Sequence, residues 1–278
     1  MKLKQVSCAV MAVALLPSWM VGADTTTKAA APQLSAAQIV EKNVAARGGL
    51  AGWRSLQTIE MKGKMQAGGN KRATLPSPGA KLGNEFKENR PNEQVELPFV
   101  LRLARGRKQR WEIQFNGQTA IQVYDGSQGW KLRPFLNRHQ VEKYTADELK
   151  RASSQADIDG LLIDYTARGS KVELEGVEQV EGRKAYNLRV TDRTGNVRHD
   201  WVDAASFLEL KVEGDPRRLD GKFHPVATYL RDYRSVNGLM MPYLVETVVE
   251  GVKDSEKIKI EEIVSNPKID GSQFAMPQ

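Results

Sequence analysis

Histidine and cysteine, the side chains that most often ligate metals or attack substrates, are scarce in this 278-residue chain, which has three of the first and one of the second. His139, His199 and His224 lie far apart. None has the H-x-x-x-H spacing that sets two imidazoles on one helix face around a metal. A single thiol makes neither an internal disulfide nor a Cys-based zinc site. Asp157-Ile158-Asp159-Gly160 begins as a calcium loop does, but its Gly falls too early and the closing Glu is missing. Ser127 sits in Asp125-Gly126-Ser127-Gln128-Gly129. A nucleophile elbow needs Gly two residues before the Ser, where Asp125 stands, so this segment reads as a turn. No Gly-rich phosphate loop leads into a Lys-Ser/Thr pair. No pair among the 34 acidic residues is singled out. The sequence therefore predicts no catalytic residue, no metal ligand and no cofactor.

Two other patterns bear on binding. Ile59, Met61 and Met65 alternate with polar neighbours, as do Trp111, Ile113 and Phe115. On strands, such residues share one face. That face is either a packed core or the wall of an apolar cavity, for which adaptable Met and broad aromatic side chains are suited. The second pattern is the basic run Arg102, Arg105, Arg107, Lys108 and Arg110. It is either a solvated turn between strands or a contact for anionic headgroups or an acidic partner. Nucleic acid is not the expected partner, because the chain is read as exported.

That reading comes from residues 1–23. Lys2 and Lys4 precede an uncharged apolar run from Val6 to Leu16, Pro17 ends it, and Val21-Gly22-Ala23 offers small residues for cleavage. This is the pattern of a secretory signal peptide cut after Ala23. The run is shorter than the ~20 residues of a spanning helix. Cleavage removes two lysines and the only cysteine, turning a formal charge of +7 into +5, with 39 basic against 34 acidic residues. The expected location is the periplasm, with residues 24–34 as a flexible leader.

The elements that must position the binding face follow from periodicity. Ser35 with Gln38, and Thr145 with Glu148, form capping boxes that open helices over 36–47 and 146–156. A short helical turn is expected around Leu50–Leu56. From Gln57 onward the period is mostly two, punctuated by turn signals such as Asn116-Gly117 and Asn237-Gly238. About eleven strands joined by turns predict a mainly β protein: one antiparallel meander in a single domain over 35–278, curled around a core or cavity and covered by the helices. Residues 67–97, rich in Gly, Pro and charges, are expected to form a long loop.

Several segments, taken in order, carry a resemblance. They are the capped helix ending in Gly48-Gly49, the strand Thr58–Met65, Tyr124-Asp125-Gly126 with Gly129-Trp130, and the region Asp157–Tyr165. There follow Val172–Tyr186, Val197–Lys211, Asp232-Tyr233-Arg234 running on to Asn237-Gly238-Leu239-Met240-Met241-Pro242, and Asn266–Phe274. In this order they resemble the outer-membrane lipoprotein-sorting (LolA-like) superfamily of periplasmic carriers, over nearly all of the exported chain. The resemblance implies a half-open antiparallel barrel closed by helices, with acyl chains held on its concave apolar side. It favours cavity over core. The chain departs from the family in its length and in the 67–97 segment, and no ligand residue of the family maps onto a position here.

The expected function is a monomeric, non-enzymatic carrier of lipid or lipoprotein acyl chains, passing cargo between inner- and outer-membrane donor and acceptor proteins, with the two capped helices as lid and plug. The alternative is a sensor or interaction module on the same fold, whose apolar face docks a partner protein. An enzyme would instead require a cleft with paired carboxylates.

Overall fold

A computed structural model describes residues 34–68, 94–134, 137–219 and 221–278. The expected signal peptide, its cleavage site and the leader up to residue 33 lie outside the described residues, as do residues 69–93 of the expected loop.

Both capping boxes form. In helix α1 (Ala36–Ala46) the Ser35 hydroxyl accepts from the Gln38 amide, and the Gln38 side chain accepts from the Ser35 amide. In α3 (Ala146–Gln155) Thr145 and Glu148 do the same. Each box satisfies two amides that a helix start leaves without an internal partner. A single turn of helix, α2 (Leu50–Ser55), sits between α1 and the first strand. Gly48 links α1 to α2 at φ +103°, and a Cβ there would lie 2.1 Å from the Gly238 carbonyl oxygen. Only glycine lets the helix end approach that turn so closely.

The rest is one antiparallel sheet. Its strands are β1 (Thr58–Gly68), β2 (Gln94–Ala104), β3 (Lys108–Phe115), β4 (Gln118–Tyr124), β5 (Gly129–Arg133), β6 (Arg138–Lys143) and β7 (Lys171–Val180). They continue with β8 (Arg183–Thr191), β9 (Val197–Asp203), β10 (Glu209–Leu219), β11 (Lys222–Val236), β12 (Leu239–Val249) and β13 (Glu256–Ser265). The order is β6-β5-β4-β3-β2-β1-β13-β12-β11-β10-β9-β8-β7. Consecutive strands pair throughout except β6 and β7, and the one non-sequential pairing, β1 with β13, joins the two runs.

Three expectations need correction. The described residues form thirteen strands rather than about eleven; β6 (RHQVEK) carries no apolar alternation because it is an exposed edge. The expected half-open barrel is an open sheet: β6 and β7 are its two edges, and among the described residues no pairing joins them. The segment expected as a loop over 67–97 contributes strand at both ends, since β1 runs to Gly68 and β2 starts at Gln94. Val95, Leu97, Phe99, Leu101 and Leu103 do alternate, but Pro98, which removes a ladder donor, hides the pattern.

The tight turns form as their residues dictate. Asn116 and Gly117 both have positive φ between paired Phe115 and Gln118, and Asn237 and Gly238 do so between Val236 and Leu239. This is the backbone whose twist matches paired strands.

Most of the core lies on one face of the sheet; a smaller cluster of Val180, Ala185 and Leu210 lies on the other. Under α1, Ile39 and Val40 pack on Leu188, Val190 and Val202. Under α2, Trp53 and Leu56 pack on Ile59, Leu103, Met241 and Ile263. The irregular segment 157–169 joins both clusters through Ile158, Leu162 and Ile163. It supplies part of the cover that the sequence assigned to helices alone. α3 packs on Tyr124 through Ala152.

Candidate functional site

Register carries the apolar face across five adjacent strands. Ile59, Met61 and Met65 of β1 stand opposite Leu103, Leu101 and Leu97 of β2. Leu101 and Phe99 stand opposite Trp111 and Ile113 of β3. On the other side, Met61 and Met65 face Ile263 and Ile258 of β13, and Ile258 faces Val245 of β12. Directly opposed residues of antiparallel strands point to the same side, so these side chains form one continuous surface. The Phe99 and Trp111 rings stack with centroids 5.0 Å apart.

Burial along this surface is graded. At the end beneath α2 and 157–169, Ile59, Leu103, Met241 and Ile263 are buried. Toward the other end Phe99 and Ile260 remain buried, whereas Met61, Met65, Leu101, Trp111, Ile113, Tyr243, Val245 and Ile258 are half-buried and pack against the same core. Among the described residues, an apolar lane thus begins under the cover and runs beyond it. Gly63 stands opposite Phe99, between Met61 and Met65, at a bulge where the β13 backbone comes so close that a Cβ would lie 2.0 Å from the Lys259 oxygen. Glycine at this position lets the two backbones approach that closely.

All six predicted apolar residues lie on this strand set: Ile59 is buried, Met61, Met65, Trp111 and Ile113 line the lane, and Phe115 is half-buried at the end of β3. The sequence did not point to Phe99, Leu101, Tyr243, Val245 and Ile258. The alternation within β2 was the available signal for the first two. The last three needed the β1–β13 pairing.

The basic run separates in the fold. Arg102 and Arg110 lie on the opposite face, where Arg102 pairs with Glu60 at 2.8 Å and with Glu112 at 3.4 Å. Arg110 also pairs with Glu112 and donates to the Gln273 carbonyl. Arg105 holds the cover down. Its Nε donates to the Leu56 carbonyl at 2.8 Å and its Nη2 to the Trp53 carbonyl at 2.6 Å, while Nη1 pairs with the Asp159 carboxylate. Arg107 reaches Asp157 at 3.7 Å and the Ser153 hydroxyl at 3.2 Å. Lys108 lies near enough to Asp125 to favour its charged form, in a turn where burial opposes ionisation and amides of Ser127 and Gln128 promote it. Four of the five cations are therefore engaged by acids of this chain.

Two carboxylates do meet. Asp200 on β9 is fully buried beside Glu209 of β10. Glu209 pairs with Arg47, whose guanidinium also lies 4.1 Å from the Trp53 ring centroid. Burial first, and then the neighbouring Glu209 charge, hold the Asp200 carboxyl well above the usual carboxylate range. The pair sits beneath the α1–α2 elbow, without the solvent access a substrate would need. Elsewhere, a cleft of about 460 Å³ between β8 and β12 is lined by Asn187, His199, Trp201, Lys211 and Glu213, among others. Its polar groups are largely engaged with one another: His199 lies between Glu175 and Glu213, and the Lys211 ammonium sits 3.4 Å over the Trp201 ring. The lane is lined by more apolar side chains than this cleft and is the stronger candidate site.

No protein-family model matches the sequence, and no curated protein matches it. Solved structures do match the fold. A LolA superfamily protein from Nitrosomonas europaea superposes with a TM-score of 0.51 at 13% identity, covering 87% of this chain and 98% of its own. A putative outer membrane lipoprotein-sorting protein domain from Vibrio parahaemolyticus gives 0.51 at 12% identity, covering 85% and 94%. A DUF1329 family protein from Desulfovibrio piger gives 0.52 at 12% identity, covering 86% and 96%. At such identities the likeness speaks to architecture. The open antiparallel sheet with helices on one face is the LolA-like fold.

Proposed function

We propose that this chain is a non-enzymatic periplasmic carrier, which shields acyl chains of a lipid or lipoprotein on its apolar face during transit across the cell envelope. The observation that carries the reading is the graded lane: a continuous apolar surface of five strands, buried at one end and half-buried at the other. A contiguous apolar surface that extends beyond its cover suits an interaction site. A long acyl chain laid along it gains roughly 0.8 kcal/mol per buried CH₂, or on the order of 10 kcal/mol for a C16 chain before the costs of binding. No charged anchor is needed. Met61 and Met65 would adapt to different chains, and the Phe99–Trp111 stack would form a broad, stiff part of the wall.

Loading would require the cover to give way, and Arg105 is placed to resist that, because it ties α2 and segment 157–169 to the β2–β3 turn. Transfer of a fluorescent fatty-acid analogue to the purified protein tests the proposal, together with native mass spectrometry of protein taken from the periplasm. Saturable uptake and co-purifying lipid are expected. Protein that is lipid-free from the cell and takes up no probe in solution would end it.

A further inference from the structure

The β10–β11 hairpin runs past its neighbours. β10 is paired with β9 only as far as Val212, and β11 is paired with β12 only from Val226 onward. Beyond these points Arg217 pairs with His224, Arg218 with Phe223 and Leu219 with Lys222, so the tip is a two-stranded projection. Phe223 there is 73% exposed, the most exposed large hydrophobic side chain among the described residues. An isolated exposed aromatic is unremarkable by itself. This one sits among cations. The sequence 217–224 holds Arg217, Arg218 and Lys222 against one acid, Asp220, which lies outside the described residues. Arg217 is held in a two-pronged pair with Glu256, both contacts 2.8 Å. The Arg218 guanidinium lies 6.0 Å from the Phe223 ring centroid. Neither Arg218 nor Lys222 has an acidic partner among the described residues.

The hairpin also stands at the open end of the lane. Its partner Glu256 begins β13, two residues before Ile258, which faces both Met65 and Val245. The antiparallel order thus brings the tip to the end where the apolar lane is half-buried, opposite the end closed by α2.

We infer that the tip of the β10–β11 hairpin docks this protein on an anionic lipid bilayer, with Phe223 entering the headgroup boundary and Arg218 and Lys222 meeting lipid phosphates. Aromatic rings favour that boundary, and cations gain there from the negative surface potential. The inference builds on the carrier reading, since it turns the mouth of the lane toward the leaflet that supplies or receives the chain.

Co-flotation of the full chain tests it, using vesicles of an equal mixture of phosphatidylglycerol and phosphatidylcholine against vesicles of phosphatidylcholine alone. Wild type should float with the anionic vesicles and lose that association as salt is raised. Phe223→Ser should lower partitioning about tenfold. Arg218→Ser with Lys222→Ser should lower it about 25-fold, roughly fivefold per cation. These exposed substitutions should leave uptake of a fluorescent fatty acid from solution unchanged. Every variant keeps residues 1–33, so a difference from wild type reports on the tip. Wild type failing to float with anionic vesicles, or variants floating as wild type does, would overturn the inference. Wild type that floats with anionic vesicles but takes up no fatty acid would instead refute the carrier reading and leave the docking surface standing.

Discussion

The Arg47 guanidinium meets the Glu209 carboxylate at 3.1 Å, with 7% and 5% of the two side chains exposed. The residues are 162 positions apart in the chain. Arg47 caps the C-terminus of α1, and its carbonyl accepts from both the Trp53 indole and the Met240 amide. The pair therefore joins the α1–α2 elbow to β10. Arg47→Ala would leave Glu209 buried without its partner, a loss of about 3–5 kcal/mol. Urea unfolding of Arg47→Ala measures this; a loss below about 1 kcal/mol would show that the elbow is held by packing alone.

Asp200 makes that joint sensitive to pH. Burial and the Glu209 charge raise its folded-state pKa well above 3.8. The folded state therefore binds a proton that the unfolded chain releases, and this contribution to stability is lost as pH rises from the unfolded value through the folded one. Asp200→Asn has no proton to lose. The variant should gain stability relative to wild type as pH increases between about 5 and 9, read as melting temperature across that range. Parallel curves for the two proteins would contradict the assignment.

Arg105→Ala should loosen the cover. Its guanidinium holds the Trp53 and Leu56 carbonyls and the Asp159 carboxylate. Hydrogen bonds to a charged group contribute roughly 1.5–3 kcal/mol. Amide exchange should rise locally in α2 and in 157–169, and release of a bound acyl probe should quicken by about tenfold. Unchanged exchange in both segments would remove Arg105 from this role.

The lane itself is tested by charge. Ile113→Asp and Met65→Asp place a carboxylate on a half-buried apolar wall, and acyl-probe affinity should fall at least about tenfold. Val264→Asp, at an exposed β13 position, is the matched control and should bind as wild type does. Equal affinity in all three variants would locate the ligand elsewhere.

The two glycines after α1 separate space from strain. Gly48→Ala meets the Gly238 carbonyl, while Gly49→Ala at φ +86° meets nothing within 4 Å. Gly49→Ala should cost about 1 kcal/mol for its backbone, and Gly48→Ala clearly more, since the β11–β12 turn must move. Thermal denaturation of the two variants side by side gives the comparison.

The amino-acid order alone determined the local pieces of this protein. Ser35 with Gln38 and Thr145 with Glu148 set helix starts, Asn116-Gly117 and Asn237-Gly238 set hairpins, and alternation placed Ile59, Met61, Trp111 and Ile113 on inward faces. Each signal spans a few residues, so nothing distant is needed to read it. Tertiary structure decided the rest. The pairing of β1 with β13 joins residues about 200 positions apart, and only that junction brings Ile258 and Val245 beside Met65. The basic run looked like one patch in sequence, but the strand pleat and the β2–β3 turn sent Arg102 and Arg110 to one face and Arg105 to the cover; Arg110 meets Glu112 of its own strand, while Glu60 and Asp159, which meet Arg102 and Arg105, lie too far along the chain for a local pattern to name. Whether an apolar strand face is core or lane depends on how far the cover reaches. That is set by where α2 and 157–169 dock, a long-range packing contact that leaves no periodicity in the chain.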